Sequence, residues 1–179
     1  MEIPQKHSLW IVPKQTEGND LQQFINTLAN DFDAPNFVPH LTLVANIFTE
    51  TDADRIQALD NATKLTQSIQ PFDITFDGFG YTSEEFRCLF LKVLPSTEID
   101  NAYDIATQFF PQVRDEHFRS MPHLSVLYGD YLSERKDAII TTYREHEIAN
   151  LTFRVQSFDL FLTNSPIESW ELESEILLR

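Results

Sequence analysis

Two short segments of the chain carry the same arrangement of side chains that could transfer protons. Residues 39–43 read PHLTL and residues 122–126 read PHLSV. Alternate residues of a strand face the same side, so each segment would present one imidazole and one hydroxyl on one face. Imidazole can donate or accept a proton near neutral pH, and a hydroxyl can donate a hydrogen bond to an anionic oxygen. The four candidate side chains are His40, Thr42, His123 and Ser125.

The two segments also occupy matching places in the two halves of the chain. Apolar periodicity in the first half predicts a strand at 8–13, helix at 19–32, strand at 40–47, helix at 52–69 and strand at 72–81. The second half repeats this order with a strand at 87–94, helix at 99–110, strand at 123–128, helix at 133–147 and strand at 151–162, followed by a last strand at 168–178. The repeat predicts an α+β, bilobal fold over residues 1–179 as a single domain. Its two pseudo-symmetric lobes would each have an antiparallel sheet covered by helices, with the active-site cleft between them.

The composition limits the classes of function. The chain has 179 residues, 42% of them hydrophobic, and 28 acidic against 13 basic residues give a net charge of −15. Such a charge repels polyphosphate, so no long nucleic acid is expected as a partner. A single cysteine indicates a reducing compartment, the N-terminus lacks a signal-peptide pattern, and no apolar run approaches the roughly 18 residues of a membrane span. We expect a cytoplasmic monomer that does not bind a membrane.

The paired histidines have two other interpretations. A single histidine at a strand start is usually structural, but packing gives no reason for an imidazole and a hydroxyl to recur together at matched positions. Two imidazoles could contribute to a zinc site, but neither segment supplies the closely spaced ligands that such sites show. Acid–base chemistry at one shared cleft is therefore favoured.

With these two motifs the chain resembles the two-histidine (2H) phosphoesterase superfamily, whose signature is a pair of His-x-Thr/Ser-x motifs on pseudo-symmetric lobes. It is most similar to the cyclic phosphodiesterases that act on ADP-ribose 1″,2″-cyclic phosphate and nucleoside 2′,3′-cyclic phosphates. The resemblance implies that His40 and His123 are catalytic, with His123 as the base and His40 as the acid. It implies that Thr42 and Ser125 bind the phosphate and that no metal or other cofactor is needed.

The resemblance further implies that Trp10 and Tyr128 bind the substrate nucleotide. Trp10 could equally be a core residue of its strand. Tyr128 has the opposite strand parity to Ser125, so it can reach the cleft only if the strand ends or bulges near Gly129. Arg87 and Arg119 could neutralise a phosphate, although solvated or ion-paired arginines are more common.

Several other side chains are expected to have structural roles. In the helix at 52–69 the predicted inward residues are Ile56, Leu59, Ala62 and Leu65 or Thr66. His7, His117 and His146 are predicted to lie on the surface or in loops, and Cys88 in the core. The acidic residues of the last strand are predicted to form a solvated sheet face, and they are Glu168, Glu171, Glu173 and Glu175.

The sequence therefore predicts metal-independent hydrolysis of a small cyclic-phosphate nucleotide. RNA-end processing, or a 2′–5′ RNA ligase-like reaction, is the alternative within the same superfamily, but neither motif has a flank rich in lysine or arginine. A non-catalytic nucleotide-binding module is the alternative from another class, and it is disfavoured because all four catalytic-type positions are intact.

Overall fold

The structure of the chain, a computed structural model, describes residues 4–111 and 120–179. Its strands are β1 (Gln5–Ile11), β2 (Leu41–Thr49), β3 (Phe72–Tyr81), β4 (Leu89–Val93), β5 (His123–Leu127), β6 (Thr152–Val155), β7 (Ser157–Leu162) and β8 (Glu171–Leu177). Its helices are α1 (Gln15–Phe32), α2 (Asp52–Thr66), α3 (Thr97–Phe109) and α4 (Ser133–Tyr143). Short 3₁₀ turns lie at Glu85–Arg87, Glu147–Asn150 and Ile167–Ser169.

The eight strands follow the order β6-β3-β4-β5-β2-β1-β7-β8, and every neighbouring pair is antiparallel. The two motif strands, β2 and β5, are adjacent at the centre, where Leu41 pairs with Leu124. Four strands lie on each side of this join, which confirms the predicted α+β fold with two matched antiparallel lobes. The join itself places the two histidine motifs side by side.

The lobes exchange strands, which the repeat in the sequence does not show. Strand β3 comes from the first half of the chain but pairs with β4 and β6 of the second. Strands β7 and β8 come from the second half, and β7 pairs with β1 of the first. Helix α1 likewise follows β1 but packs against β5. Each lobe is therefore built from both halves of the sequence.

The segment predicted as one strand at 151–162 is two strands, so that prediction was wrong. It breaks at Gln156, where β6 ends and β7 begins. The first piece pairs with β3 in one lobe and the second with β1 in the other. The sequence around Gln156 does not show this break, because the alternation of β6 and the apolar run of β7 are both patterns that strands have.

Helix α1 buries one apolar face, which includes Leu21, Phe24, Ile25 and Leu28, whereas helix α2 departs from its predicted inward face at one position. Helix α2 begins at a capping box in which the Thr51 side chain accepts from the Asp54 N–H and the Asp54 carboxylate accepts from the Thr51 N–H. Ile56 was predicted to face inward but is 68% exposed, whereas Ala58 and Ala62 are buried. The face of α2 that contacts the sheet includes two small alanines. The most hydrophobic residue of the helix, Ile56, therefore does not indicate which face is buried. Along residues 4–111 and 120–179 no helix has the length and apolar character needed to cross a membrane.

His7 is buried beside the partly buried Glu173, so the prediction of a surface or loop position for His7 was wrong. The His7 side chain is 1% exposed, and its Nε2 lies 2.8 Å from Glu173 Oε2. Burial lowers the pKa of His7, while the charge of Glu173 opposes this. Glu173 also bonds Arg55, so this position of the last strand is not part of a solvated face. His146 is exposed and Cys88 is buried, as predicted, and His117 lies outside the described residues.

Candidate active site

A cavity of about 400 Å³ opens at the join between the lobes, and all six predicted site residues line it. Those residues are Trp10, His40, Thr42, His123, Ser125 and Tyr128. They come from β1, from β2 and the residue before it, and from β5 and the residue after it. Leu41 and Leu124 are fully buried on the other side of the sheet, so the alternation predicted from each motif is confirmed. The volume is within the range of sites that hold a small ligand.

The two imidazoles are oriented in the same way by the main chain. His40 Nδ1 donates to the carbonyl of Val38 at 2.6 Å, and His123 Nδ1 donates to the carbonyl of Met121 at 2.8 Å. A carbonyl oxygen only accepts, so each Nδ1 carries the hydrogen. In a neutral ring the lone pair is then on Nε2. Both histidines therefore have the tautomer of a base that acts through Nε2.

Burial lowers the pKa of both imidazoles. The pKa of His40 falls to about 4, because burial outweighs the hydrogen bond to Val38 and the charge of His123 lowers it further. The pKa of His123 is also lowered, chiefly by burial and then by the nearby charge of Arg87, against the Met121 hydrogen bond and Glu84. The protein without substrate thus holds both rings mainly in the neutral form at pH 7.

Trp10 stacks directly on His40. The ring centroids are 3.7 Å apart with 14° between the planes, and Trp10 also stacks on Phe161 at 4.3 Å. Its side chain is only 2% exposed, so little of the indole remains for contact with a base. Trp10 therefore covers one face of the His40 ring, where it supports the imidazole and excludes water from it.

Tyr128 reaches the cavity because β5 ends at Leu127. Gly129, the residue after Tyr128, has φ +145°, and a Cβ there would lie 2.6 Å from the ring of Tyr131. The chain therefore turns where the sequence required it to turn, and glycine permits the turn. The Tyr128 ring stacks on Phe37 at 3.8 Å and is 4% exposed.

The two hydroxyl residues differ in their surroundings. Ser125 Oγ donates to the carbonyl of Phe86 at 2.9 Å, in the turn at Glu85–Arg87. Thr42 is half-buried at the cavity wall, and its own carbonyl accepts a 2.9 Å bond from Tyr103. The Ser125 hydrogen must leave the Phe86 carbonyl before it can be donated to a ligand in the cavity.

Several lining residues were not found from the sequence, namely Lys6, Ser8, Asn46, Phe86, Thr163 and Trp170. Lys6 and Ser8 lie on the same face of β1 as Trp10, so the alternation along this strand could have predicted that they line the cavity. Trp170 follows a 3₁₀ turn, and its contacts with Trp10 and His40 join distant parts of the chain. No local pattern marks such a residue.

Arg87 lines the cavity, as its predicted phosphate role requires, but it is ion-paired with Glu84. Arg119 lies outside the described residues. Within the described ranges, no group of three or more histidine, cysteine, aspartate or glutamate side chains is placed to hold a metal ion.

Solved structures share the fold of this chain. The crystal structure of E. coli LigT complexed with 3′-AMP superimposes with a TM-score of 0.63 at 14% identity and covers 99% of both chains. Together with the paired His-x-Thr/Ser-x motifs on adjacent central strands, this fold is that of the 2H phosphoesterases.

Sequence comparison narrows the class to one family. A model of the cyclic phosphodiesterase-like protein family matches residues 6–178. An Arabidopsis thaliana cyclic phosphodiesterase is 24% identical over 92% of this chain and 91% of the relative. A Yarrowia lipolytica 2′,3′-cyclic-nucleotide 3′-phosphodiesterase is 25% identical over 92% of this chain and 96% of the relative. The chain belongs to the cyclic phosphodiesterase-like family, and its enzyme class is phosphodiesterase.

Replacing Trp10 is expected to raise the pKa of His40. In Trp10→Leu the smaller side chain would let water reach the imidazole, so the pKa should rise from about 4 toward the ordinary value. Titration of the imidazole resonances by NMR in the unliganded protein measures this shift, with circular dichroism confirming the fold. His123, which lacks the stack, is the internal control and should move less. An unchanged pKa of His40 in a folded variant would contradict the supporting role of Trp10.

Proposed function

We propose that this phosphodiesterase hydrolyses small cyclic phosphates without a metal ion, the substrate being a nucleoside 2′,3′-cyclic phosphate or ADP-ribose 1″,2″-cyclic phosphate. One observation carries the proposal: two imidazoles, held in the same tautomer by main-chain carbonyls, line one cavity with a hydroxyl residue beside each. The names of the Arabidopsis and Yarrowia relatives, and the 3′-AMP bound to LigT, support a cyclic nucleotide as substrate.

In-line displacement at phosphorus requires a base and an acid on opposite sides of the phosphate. One histidine takes a proton from the attacking water as the new P–O bond forms. The other gives its proton to the ribose oxygen as the old P–O bond breaks, which leaves a phosphomonoester on the ribose. Two imidazoles on adjacent strands of opposite lobes provide both groups, and together they make a Lewis acid unnecessary.

We assign the acid to His40 and the base to His123, following the resemblance. The low pKa of His40 means that the free protein rarely holds the acid in its protonated form. An anionic phosphate bound beside His40 raises that pKa, because it stabilises the imidazolium. In this assignment the substrate itself brings about the protonation that the reaction needs.

The phosphate oxygens are held by Thr42 and Ser125 in this proposal. Donation to the non-bridging oxygens stabilises the negative charge that increases in the transition state. For Ser125 this means exchanging the Phe86 carbonyl for a phosphate oxygen, and an anionic acceptor is the stronger one.

The nucleoside is placed against the aromatic side of the cavity. Phe86 is 53% exposed, and its ring meets Tyr128 edge-on at 5.3 Å, with Trp170 also edge-on to Tyr128 at 6.4 Å. Exposed aromatic surface of this kind is suited to stacking on a base. We therefore place the base against the exposed ring of Phe86, beside the edges of Tyr128 and Trp170, while Trp10 contributes through its contact with His40.

A substrate panel in the presence of EDTA tests the proposal. We expect turnover of adenosine 2′,3′-cyclic phosphate and of ADP-ribose 1″,2″-cyclic phosphate, and much weaker action on an RNA with a cyclic phosphate end, because the net charge of −15 repels long RNA. Preference for the RNA would favour RNA-end processing. Nucleotide binding without turnover would favour a binding module, and activity that zinc or magnesium restores would contradict the metal-free mechanism.

Substitution of the motif residues should give non-additive losses. His40→Ala or His123→Ala is expected to lower kcat by at least about 10²-fold, and the double variant should lose far less than the product of the two. Thr42→Ala and Ser125→Ala remove one neutral donor each and should cost less. Steady-state kinetics with adenosine 2′,3′-cyclic phosphate measures these effects. Near-full activity in His40→Ala would overturn the proposal.

The acid and the base can be separated with an activated leaving group. An aryl phosphodiester needs little acid assistance, so it should largely restore turnover in His40→Ala and not in His123→Ala. The comparison is the ratio of kcat for the aryl and the nucleoside substrate in each variant. Rescue of His123→Ala alone would reverse the two roles, and rescue of neither would contradict a simple division between acid and base.

A further inference from the structure

The loop between β3 and β4, residues 82–88, supplies four consecutive residues to the wall of the cavity. These residues are Glu84, Glu85, Phe86 and Arg87. Phe86 carries the exposed ring against which the base is placed. Arg87 lies near His123, and its charge lowers the pKa of that imidazole. The position of the β3–β4 loop therefore affects both the surface offered to the base and the surroundings of one histidine.

Hydrogen bonds close the β3–β4 loop on itself. The N–H and the Oγ1 of Thr82 both donate to the carbonyl of Arg87, at 3.1 and 2.9 Å. Thr82 Oγ1 also accepts from the N–H of Glu84 at 3.1 Å. Thr82, the first residue of the loop, is therefore bonded to both its middle and its end, and any group that fixes Thr82 fixes the loop.

Two further bonds hold the β3–β4 loop from the side of β5. Ser125 Oγ donates to the Phe86 carbonyl at 2.9 Å, and the N–H of Gly129 donates to the Glu85 carbonyl at 3.1 Å. In the proposed mechanism a phosphate oxygen takes the Ser125 hydrogen bond from Phe86. The loop then loses one of these two bonds when its stacking surface is needed, so its position depends more strongly on its other contacts.

Lys136 of α4 contacts the base of the β3–β4 loop. Its side chain is buried, with the residue only 3% exposed, and its Nζ donates to the carbonyl of Thr82 at 2.7 Å. The ammonium group lies 5.5 Å from the ring centroid of Tyr81. Burial raises the pKa of Cys88, and the charge of Lys136 opposes this. Tyr81 precedes the loop and Cys88 ends it, so the ammonium group is close to both ends of the loop.

A lysine at this position is not explained by packing alone. Burying an ammonium group costs free energy unless its partners replace the water that it loses. Among residues 4–111 and 120–179 no carboxylate forms an ion pair with Lys136. One carbonyl and one aromatic ring compensate the charge only in part. A methionine would fill a similar volume without this cost, so the gain from lysine lies in its donation to Thr82.

We propose that Lys136 is a positioning residue, which holds the β3–β4 loop through the Thr82 carbonyl so that Phe86 stays in place to stack on the base. The inference rests on the proposed function for the nature of the ligand, a nucleotide, while the contact of Lys136 with the loop does not depend on it. Lys136 does not line the cavity. It therefore acts on the binding of the base and takes no part in proton transfer.

Amide hydrogen exchange tests the anchoring directly, without any turnover. In Lys136→Met, the loop-holding N–H groups of Thr82, Arg87 and Gly129 should exchange at least about tenfold faster than in the native protein, while those of β2 and β5 stay unchanged. Lys64→Met, the same substitution at an exposed lysine of α2, should match the native protein. Equal exchange in the native protein and Lys136→Met would show that Lys136 does not anchor the loop.

Ligands with and without a base test the consequence for recognition. Isothermal titration calorimetry follows the binding of adenosine 2′-phosphate and of inorganic phosphate, neither of which has to react. We expect Lys136→Met to weaken the binding of adenosine 2′-phosphate about five- to tenfold and to change that of phosphate by less than about twofold, because only the base contacts the loop. Thr82→Val, which removes a hydroxyl inside the loop, should give the same pattern. Equal weakening of both ligands would indicate a general structural role and overturn the inference.

Steady-state kinetics separates binding from the chemical step. With adenosine 2′,3′-cyclic phosphate, Lys136→Met should raise KM about five- to tenfold and leave kcat within about twofold of the native value. Lys136→Gln, whose amide can still donate to a carbonyl, should lie between the two proteins, and it tests the same role if Lys136→Met does not fold. A lower kcat at unchanged KM in either variant contradicts the proposal. If the native protein hydrolyses no cyclic phosphate, the proposed function fails, but hydrogen exchange and nucleotide binding still decide the role of Lys136.

Discussion

The pairing of β2 with β5 is the constraint on which the whole site depends. Leu41 pairs with Leu124 at the centre of the sheet, where the two lobes meet. Because both leucines are fully buried in the core, the residues on either side of them must point the opposite way, into one shared cavity. A shift of register by one residue would turn the imidazoles into the core and the leucines into the cavity. The buried leucines therefore fix the position of the catalytic-type side chains.

The aromatic residues around the histidines set the electrostatics of the cavity. Trp10 stacks on His40, and Phe90 lies against His123 at 5.1 Å. These contacts remove water from the imidazoles, so the protonated forms are destabilised in the empty site. A phosphate that enters such a site replaces the missing water as the partner of the imidazolium. In the proposed mechanism, burial thus couples substrate binding to protonation, and an exposed pair of histidines would lack this coupling.

The sequence predicted those features that depend on local spacing. The alternation in each motif placed His40 and His123 on the cavity side, and the parity of Tyr128 required the chain to turn at Gly129, as it does. It did not predict features in which a partner is remote. His7 is buried because Glu173, from the other end of the chain, pairs with it in three dimensions. Ile56 is exposed because tertiary packing, rather than hydrophobicity alone, decides which face of a helix is covered.

The exchange of strands between the lobes was hidden for a similar reason. A repeat in the sequence predicts the order of helices and strands. It does not predict which strands pair, because pairing depends on which edge of a sheet is free when a later strand reaches it. Gln156 separates two strands that belong to opposite lobes, and nothing in its immediate neighbours distinguishes a break from a continuous strand. As a result, each lobe contains strands from both halves of the chain. Neither half of the sequence contains a complete lobe.

The carbonyl oxygens of Val38 and Met121, which hold the two imidazoles, belong to the main chain and carry no formal charge. A carboxylate in the same position would orient a histidine equally well, but it would add negative charge near an anionic substrate in a protein that already has a net charge of −15. A main-chain acceptor is also present whatever side chain occupies the position. Side chains that line the cavity can therefore be substituted, which would alter the choice of substrate, while the orientation of the two imidazoles is preserved.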